Sequence, residues 1–385
     1  MKYRFDELLK IEKEQILWEV TFRGCPVWIF SRPAFLEIPN APSYAKTPGI
    51  VSLIMSTFGA IRCFFLRDRQ VFFIPSRKDS YSFVEYNGRP DSFVFINYES
   101  NTASQINGFK SVYSNDFFNV ARFVFRKIAW LFHRGELSRI VEAFNEKTLQ
   151  VSPAQVKIAI GDICFNKFLG MLLGKKREIY YTLATVPLSE KFLKLLNSCE
   201  IQHGVIHFEH PSYAYIPGNI GKLAVYREGY VKKLNDMGVA NAFYNEFKVK
   251  KLCAEKKELQ QDLDVVFYSQ PIERYSKAIE KMIKELENCG IKSYLQPHPK
   301  DMYNYDIDSN QIISNSSPAR VKIPVVYFSS IIEDFLILKT PVLAFDAGEE
   351  GVDDFLKFFR PYEENEILPF KQISEIIKYI INQLS

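Results

Sequence analysis

Histidine is scarce in this chain, the cysteines never fall in C-x-x-C pairs and the glycines never gather into a loop, and each absence removes a class of protein. The six cysteines, Cys25, Cys63, Cys164, Cys199, Cys253 and Cys289, are scattered, which argues against a zinc site and against a disulfide framework. No G-x-x-x-x-G-K-[ST] or G-x-G-x-x-G occurs, so kinase and dehydrogenase readings lose their main support. No G-x-S-x-G occurs either, which removes the commonest serine hydrolase fold. The chain has no uninterrupted apolar run of about 18 residues, so no membrane-spanning helix is expected. A net charge of +4 over 385 residues falls short of the concentrated basic surface of a nucleic-acid binder, and no nucleic-acid partner is expected. Residues 1–15 (MKYRFDELLKIEKEQ) are charged and lack the apolar run of a secretory signal. A reducing, cytoplasmic setting is the expectation.

What is present is apolar and aromatic. Hydrophobic residues make up 47% and aromatics 15%, with 33 Phe and 21 Tyr, enough for two domains with real cores. The N-terminal half reads as mixed α/β. Residues 2–19 have a helical pattern, and Gly24–Phe30 reads as a buried strand or a tightly packed turn. Ile61–Leu66 and Gln70–Ile74 read as adjacent strands, and Ser92–Ile96 as another. Helices are expected at 116–134, 136–148 and 153–173, a strand at Glu178–Ala184 and a helix at Leu188–Leu196. The C-terminal half alternates more clearly. Strands at Val265–Tyr268, Lys292–Leu295, Val325–Phe328 and Pro341–Phe345 are interleaved with helices at Ile272–Cys289 and Ser330–Leu338, and a last helix covers 371–384. Such alternation predicts parallel sheets with crossover helices. The expected fold class is α/β, with two Rossmann-like domains facing across a cleft. Their expected extents are 1–220, an acceptor-side domain, and 221–370, a donor domain. The helix of 371–385 is expected to pack back on the first. The boundary is drawn within the charged, weakly periodic stretch 217–262.

Four of the five histidines lie in two motifs. Glu200-Ile-Gln-His203-Gly204-Val-Ile-His207-Phe-Glu209-His210 follows a strand that ends near Gln202, and Gly204 permits a sharp turn there. Residues just past strand ends face the ligand crevice of an open parallel sheet. His203 or Glu209 is the candidate acid/base group and Glu200 its orienting partner. The plainer reading is a polar loop whose histidines satisfy backbone carbonyls. No metal is expected, because these histidines lack the helical spacing of ligand pairs. The second motif is Gln296-Pro297-His298-Pro299-Lys300, where the flanking prolines fix the backbone around His298. Farther on, a strand runs through Tyr327-Phe328 into Ser329 and Ser330 and then a helix, a place where hydroxyls and free N–H groups can hold a phosphate. Simple N-capping would account for the same serines. Ser269 and Gln270, between a strand and a helix, are candidate donor-side loop residues.

The order strand-SQP, strand-HPK, strand-SS-helix and PVLAF resembles the C-terminal domain of GT-B glycosyltransferases. His298-Pro299 and Ser329-Ser330 are similar to the HP motif and serine pair of bacterial sialyltransferases and Kdo transferases. That resemblance implies that these residues hold the CMP part of a nucleotide-sugar donor. FSSIIEDFLILKTPVLAF also resembles the CDP-glycerol transferases of teichoic-acid synthesis, with their SS-x-x-x-D-[FY] pattern. EIQHGVI, together with Gly24, Trp28 and Arg32 in a G-x-x-x-W-x-x-x-R pattern, is similar to proteins of capsule and O-antigen gene clusters. The acidic D/E-D/E-G motif of the sialyltransferases is absent; Gln202-His203-Gly204 is its counterpart here, which leaves the catalytic base open. Together these resemblances imply transfer of a CMP-activated sugar of the sialic acid or Kdo type to a glycan or lipid-linked glycan acceptor, without a cofactor. A CDP-glycerol-type transferase and a nucleotide-sugar 2-epimerase are the alternatives on the same fold.

One helix carries a further expectation. In Phe117–Arg134 the residues Phe117, Val120, Val124, Ile128 and Leu131 form one stripe, and Arg122, Arg126, Lys127 and Arg134 add positive charge suited to anionic lipid. Phe118, Phe125 and Trp130 lie off the stripe, a pattern commoner in a helix packed within a core. Peripheral contact with the inner membrane face is the other reading.

Overall fold

A computed structural model describes residues 10–12, 16–31, 53–54, 57–58, 60–61, 65, 70–75, 78–97, 108–113, 115–147, 151–174, 177–182, 197–202, 221–236, 241–257, 262–298, 301–313, 320–327, 331–345 and 367–384. They fall into two compact units, the first drawing its described residues from Lys10 to Tyr244 and the second from Asn245 onward.

The first unit begins with a small hairpin, β1 (Thr21–Phe22) against β2 (Cys25–Pro26). Its two turn residues, Arg23 and Gly24, both have positive φ, 52° and 80°, as the tight hairpin turn that matches strand twist requires. The chain then enters a short helical turn at Trp28–Ser31. Trp28 is fully buried, and its indole N–H donates to Glu12 Oε1 at 2.8 Å.

The main sheet follows. It is built from β3 (Gln70–Pro75), helix α1 (Lys78–Asn87), β4 (Phe93–Asn97), β5 (Lys110–Tyr113), α2 (Asn115–Phe132), α3 (Arg134–Glu146) and α4 (Pro153–Leu173). It continues through β6 (Glu178–Tyr181), β7 (Asn197–Ile201), β8 (Lys222–Val225), α5 (Glu228–Asp236) and β9 (Asn241–Tyr244). The seven strands are all parallel, in the order β5-β4-β3-β6-β7-β8-β9. Chain order reverses between β3 and β6, as in a doubly wound dinucleotide-type sheet. Val71, Phe72, Phe73 and Ile74 of β3 are all buried, because a central parallel strand is covered on both faces.

The abundant phenylalanine fills this unit. On one face Phe73 stacks on Phe95 at 4.8 Å between ring centres, and Phe118 and Phe165 continue the cluster from α2 and α4. On the other, Phe72 stacks on Tyr180 at 5.2 Å with Phe83 of α1 at its edge. Helix α4 runs where the sequence places it. Ser152 and Gln155 form a capping box, Pro153 opens the helix, and Gly174 with φ of 70° closes it.

The second unit contains α6 (Phe247–Lys257), β10 (Asp262–Tyr268), α7 (Glu273–Asn288), β11 (Ser293–Gln296), β12 (Arg320–Val326), α8 (Ile331–Ile337), β13 (Val342–Phe345), β14 (Ile367–Phe370) and α9 (Ile373–Leu384). Its five parallel strands lie in the order β11-β10-β12-β13-β14. This core is largely aliphatic. Helix α7 buries Ile279, Met282, Ile283 and Leu286, at helical spacing, against Val265, Val325 and their neighbours.

The fold is therefore two parallel α/β sheets flanked by helices, each of the Rossmann-like kind that the sequence predicts. Several local expectations change. Ile61 and Phe65, expected in a strand, are helical, since an apolar run such as IRCFFL carries no period that separates strand from helix. Of residues 2–19, the described ones give a helical turn at Lys10–Glu12 and a 3-10 turn at Ile16–Glu19. Residues 222–244, assigned from the sequence to the second domain, form β8, α5 and β9 of the first sheet. Helix α9, expected to return to the first domain, buries Ile376, Ile377 and Ile380 in the core of the second unit.

Candidate functional site

In open α/β sheets the ligand crevice lies past the carboxyl ends of the strands, where chain order reverses. In the second unit that switch point falls between β10 and β12. Tyr268, the last residue of β10, pairs with Gln296 of β11 on one side and with Val326 of β12 on the other. The residues that follow these three strand ends, Ser269, Pro297 and Tyr327, therefore emerge side by side. The strand ends that precede the SQP, HPK and double-serine motifs are thus brought to one edge of one sheet. Pro299, Ser329 and Ser330 lie outside the described residues.

His298 is held by its backbone. Its N–H donates to Ser269 Oγ at 2.9 Å, and its carbonyl accepts from Asp301 N at 2.8 Å. Ser269 is buried and donates its own hydroxyl proton to Asp301 Oδ2. Asp301 also accepts from the Tyr305 hydroxyl at 2.8 Å and from Tyr303 N at 3.1 Å. Burial pushes the Tyr305 phenol up to about 12, so it stays a proton donor at any physiological pH. The result is a clasp, Ser269–Asp301–Tyr305, that fixes the turn carrying His298. Ser269 is thus engaged by protein groups rather than turned to a ligand. The half-buried Gln270, next in sequence, accepts Ile272 N through its carbonyl at 2.7 Å.

Beyond β12 the chain enters α8. Asp334 of α8, the acid of the SS-x-x-x-D pattern, pairs with Lys248 Nζ of α6 at 2.5 Å. Burial, assisted by Asp334, raises the phenol of Tyr268. Tyr327 packs its ring on Tyr275 of α7 at 4.7 Å. Asp301, Tyr305 and Lys248 were not read as site residues from the sequence. The one available signal was Asp301 itself, an acid three residues after His298 in a turn between proline and tyrosines.

In the first unit, Glu200 and Gln202 stand at the carboxyl end of β7. Glu200 is buried and pairs in register with Tyr181, the last residue of β6. Gln202 accepts Tyr226 N through its side chain at 2.8 Å and donates its backbone N–H to Ala224 O at 2.9 Å. These bonds anchor the strand end from which the histidine motif departs. His203, Gly204 and Glu209 lie outside the described residues. Among the described residues no cluster of His, Cys, Asp and Glu is arranged to hold a metal ion.

No protein-family model matches the chain, and no curated protein matches it. Among solved structures it is similar to a glycosyltransferase from Rickettsia africae ESF-5, with 10% identity, a TM-score of 0.35, and coverage of 83% of this chain and 89% of that one. It is also similar to a GsuK mutant, with 10% identity, a TM-score of 0.24, and coverage of 83% of this chain and 69% of that one. Likeness at that level carries no argument about activity, and the functional reading rests on the residues of the switch point.

Proposed function

We propose that the chain is a glycosyltransferase that takes its sugar from a cytidine nucleotide donor, bound at the β10/β12 switch point of the second sheet. The observation that supports this is the convergence there of three strand ends, with the His298 turn fastened to Ser269 and Asp301. A turn fixed in this way presents His298 with little conformational freedom left to lose on binding. In this reading His298 donates to the donor phosphate, Pro299 keeps its turn rigid, and Ser329 and Ser330 supply further hydroxyl and N–H donors. Gln270 is a further donor-side contact in this reading, and Ser269 acts by holding the turn. His203 or Glu209 takes the acceptor hydroxyl's proton, with Gly204 shaping that loop and Glu200 orienting it. The leaving group is the nucleotide, and the acceptor is a surface glycan or its lipid-linked precursor. A CMP-linked sialic acid or Kdo type sugar is the donor that the motif resemblance favours.

Thermal unfolding in the presence of CMP, CDP, UDP and GDP tests the donor. A ligand at 100 times its dissociation constant stabilises by about 2.7 kcal/mol. CMP or CDP should raise the unfolding midpoint while GDP does not, and His298→Ala should shrink the shift. No shift with any of the four nucleotides would remove the proposal.

A further inference from the structure

Helix α2 has two apolar sides. Phe118 is buried in the aromatic cluster on the sheet, with Ala121 and Phe125 packed against it. On the opposite side Val120, Phe123, Val124, Ile128 and Leu131 share one stripe, with Lys127 as its single charge. Phe123 is 58% exposed and Leu131 57%. Of the stripe singled out from the sequence, Val120, Val124, Ile128 and Leu131 are therefore outward, whereas Phe117 packs against the aromatic cluster, and the inner side is the core-packed one.

The exposed surface does not stop at α2. Ile128 and Phe132 line a groove of about 640 Å³ together with Phe168 and Met171 of α4. Phe132 is 77% exposed and Met171 65%. A continuous apolar surface of this kind marks a contact with something other than water. Its margin is cationic and aromatic. Arg134 lies over the Trp130 ring at 4.0 Å and Lys157 at 4.8 Å, Lys127 lies over Phe123 at 5.4 Å, and Arg23 and Lys167 stand at the groove. Of the acids nearby, Asp162 is paired with Arg126 at 2.8 Å, and Glu136 lies 3.1 Å from His133 Nδ1.

We propose that this α2–α4 face docks on an anionic lipid bilayer. The apolar stripe enters the boundary between headgroups and acyl chains, Trp130 sits at headgroup level, and the surrounding lysines and arginines meet lipid phosphates. A second copy of the chain is a poorer occupant. A two-fold contact sets each patch against itself, and here cation would face cation. The surface lies wholly in the first unit and does not depend on the nucleotide reading.

The tryptophans make the test direct. Of the three in the chain, Trp18 and Trp28 are buried and Trp130 is 38% exposed, so a change in fluorescence on binding reports Trp130. The full chain is mixed with vesicles of phosphatidylcholine containing phosphatidylglycerol, and with phosphatidylcholine alone, then sedimented. It should co-sediment with the anionic vesicles, shift its emission to the blue, and be released by salt. Phe123→Glu with Leu131→Glu, and separately Lys127→Ser with Lys167→Ser, should each weaken binding by at least about tenfold with far-UV circular dichroism unchanged. Retention in the supernatant with both lipids, equal binding to neutral vesicles, or binding indifferent to both double variants would overturn the proposal. A dimer that Leu131→Glu splits, without vesicle binding, would assign the face to a second copy instead.

Discussion

Helix α7 turns Glu–Lys pairs toward water, Glu273 with Lys277 at 2.7 Å, Glu280 with Lys284 at 3.0 Å and Glu285 with Lys281 at 3.7 Å. Helix α2, on the other sheet, turns a stripe of valine, phenylalanine, isoleucine and leucine outward. Both helices cover a parallel sheet, and both bury an apolar face against it. The second unit is finished for solvent on its outer side, as a soluble helix is expected to be, whereas the first is not. The cores differ in the same sense. The first unit packs aromatic rings on both faces of its sheet, and the second packs branched aliphatic side chains. One sheet thus carries a polar clasp at its switch point inside an otherwise water-adapted unit. The other carries an apolar outer surface, and that division of properties is what the variants below probe.

The largest effect is expected where α2 crosses α4. A Cβ built on Gly161 would lie 2.4 Å from Arg126 Cα, so the glycine sets how closely the two helices approach. Arg126 also forks onto Asp162, with Nε at 2.9 Å and Nη2 at 2.8 Å. Gly161→Leu must push the helices apart and pull that fork open, costing roughly 3 kcal/mol. Urea unfolding should split into two transitions, with the earlier one belonging to the first unit. A single unshifted transition would mean that α2 is not held by this crossing.

Next comes the clasp of the second unit. Asp301→Ala leaves the Ser269 and Tyr305 hydroxyls and Tyr303 N without their shared acceptor, at roughly 2 kcal/mol. The midpoint shift with CMP should be lost in the same variant, because the His298 turn is no longer fixed. Asp301→Asn keeps an acceptor oxygen and should recover part of both.

The contrast between the halves also governs what the sequence yielded. The second sheet was largely readable because its buried strands, such as Asp262–Tyr268 and Val342–Phe345, are short apolar runs separated by helices with a clear period. Three of the four edge strands of these two sheets escaped notice, and the fourth, Ser293–Gln296, was expected at Lys292–Leu295. Lys110–Tyr113, Asn241–Tyr244 and Ile367–Phe370 are four residues each and sit at a sheet edge. An edge strand needs fewer apolar residues and tolerates Pro369, since one side makes no ladder bonds. At the site, strand ends with unusual residues such as His298 were visible from spacing alone. The clasp was not, because Ser269 and Asp301 are 32 residues apart and only the parallel pairing of β10 with β11 brings them together.

Buried thiols separate the units by pH. Burial raises Cys25 and Cys199, both in the first unit, from 9.0 to about 12. The folded chain keeps these protons until about pH 12, while the unfolded chain gives them up near 9.0. Their contribution is therefore whole below pH 9 and is lost as pH rises toward 12, at about 1.4 kcal/mol per pH unit for each thiol. Urea midpoints measured at pH 8 and pH 10 should fall for the first unit, and Cys25→Ala with Cys199→Ala should flatten that fall. The exposed Cys289 of the second unit should react with a thiol reagent at pH 8 long before either buried thiol does.

The smallest effect is expected on the outer side of α7. Lys284 bridges Glu280 at 3.0 Å and Asp306 at 2.7 Å, and Asp306 N donates to Glu280 Oε2 at 3.1 Å. The geometry links the helix to the loop that follows the His298 turn, and it is tempting to give it weight. Water reaches every member, however; Asp306 is 91% exposed. Screening and the entropy of two long side chains remove most of what such a bridge contributes. The neighbouring backbone bond from Asp306 to Glu280 also survives the loss of the lysine. Lys284→Ala should therefore leave the urea midpoint of the second unit and the CMP shift unchanged within measurement error, at low and high salt alike. A drop comparable to that of Asp301→Ala would show that the loop is held from outside by this bridge, and the clasp would then share its role with α7.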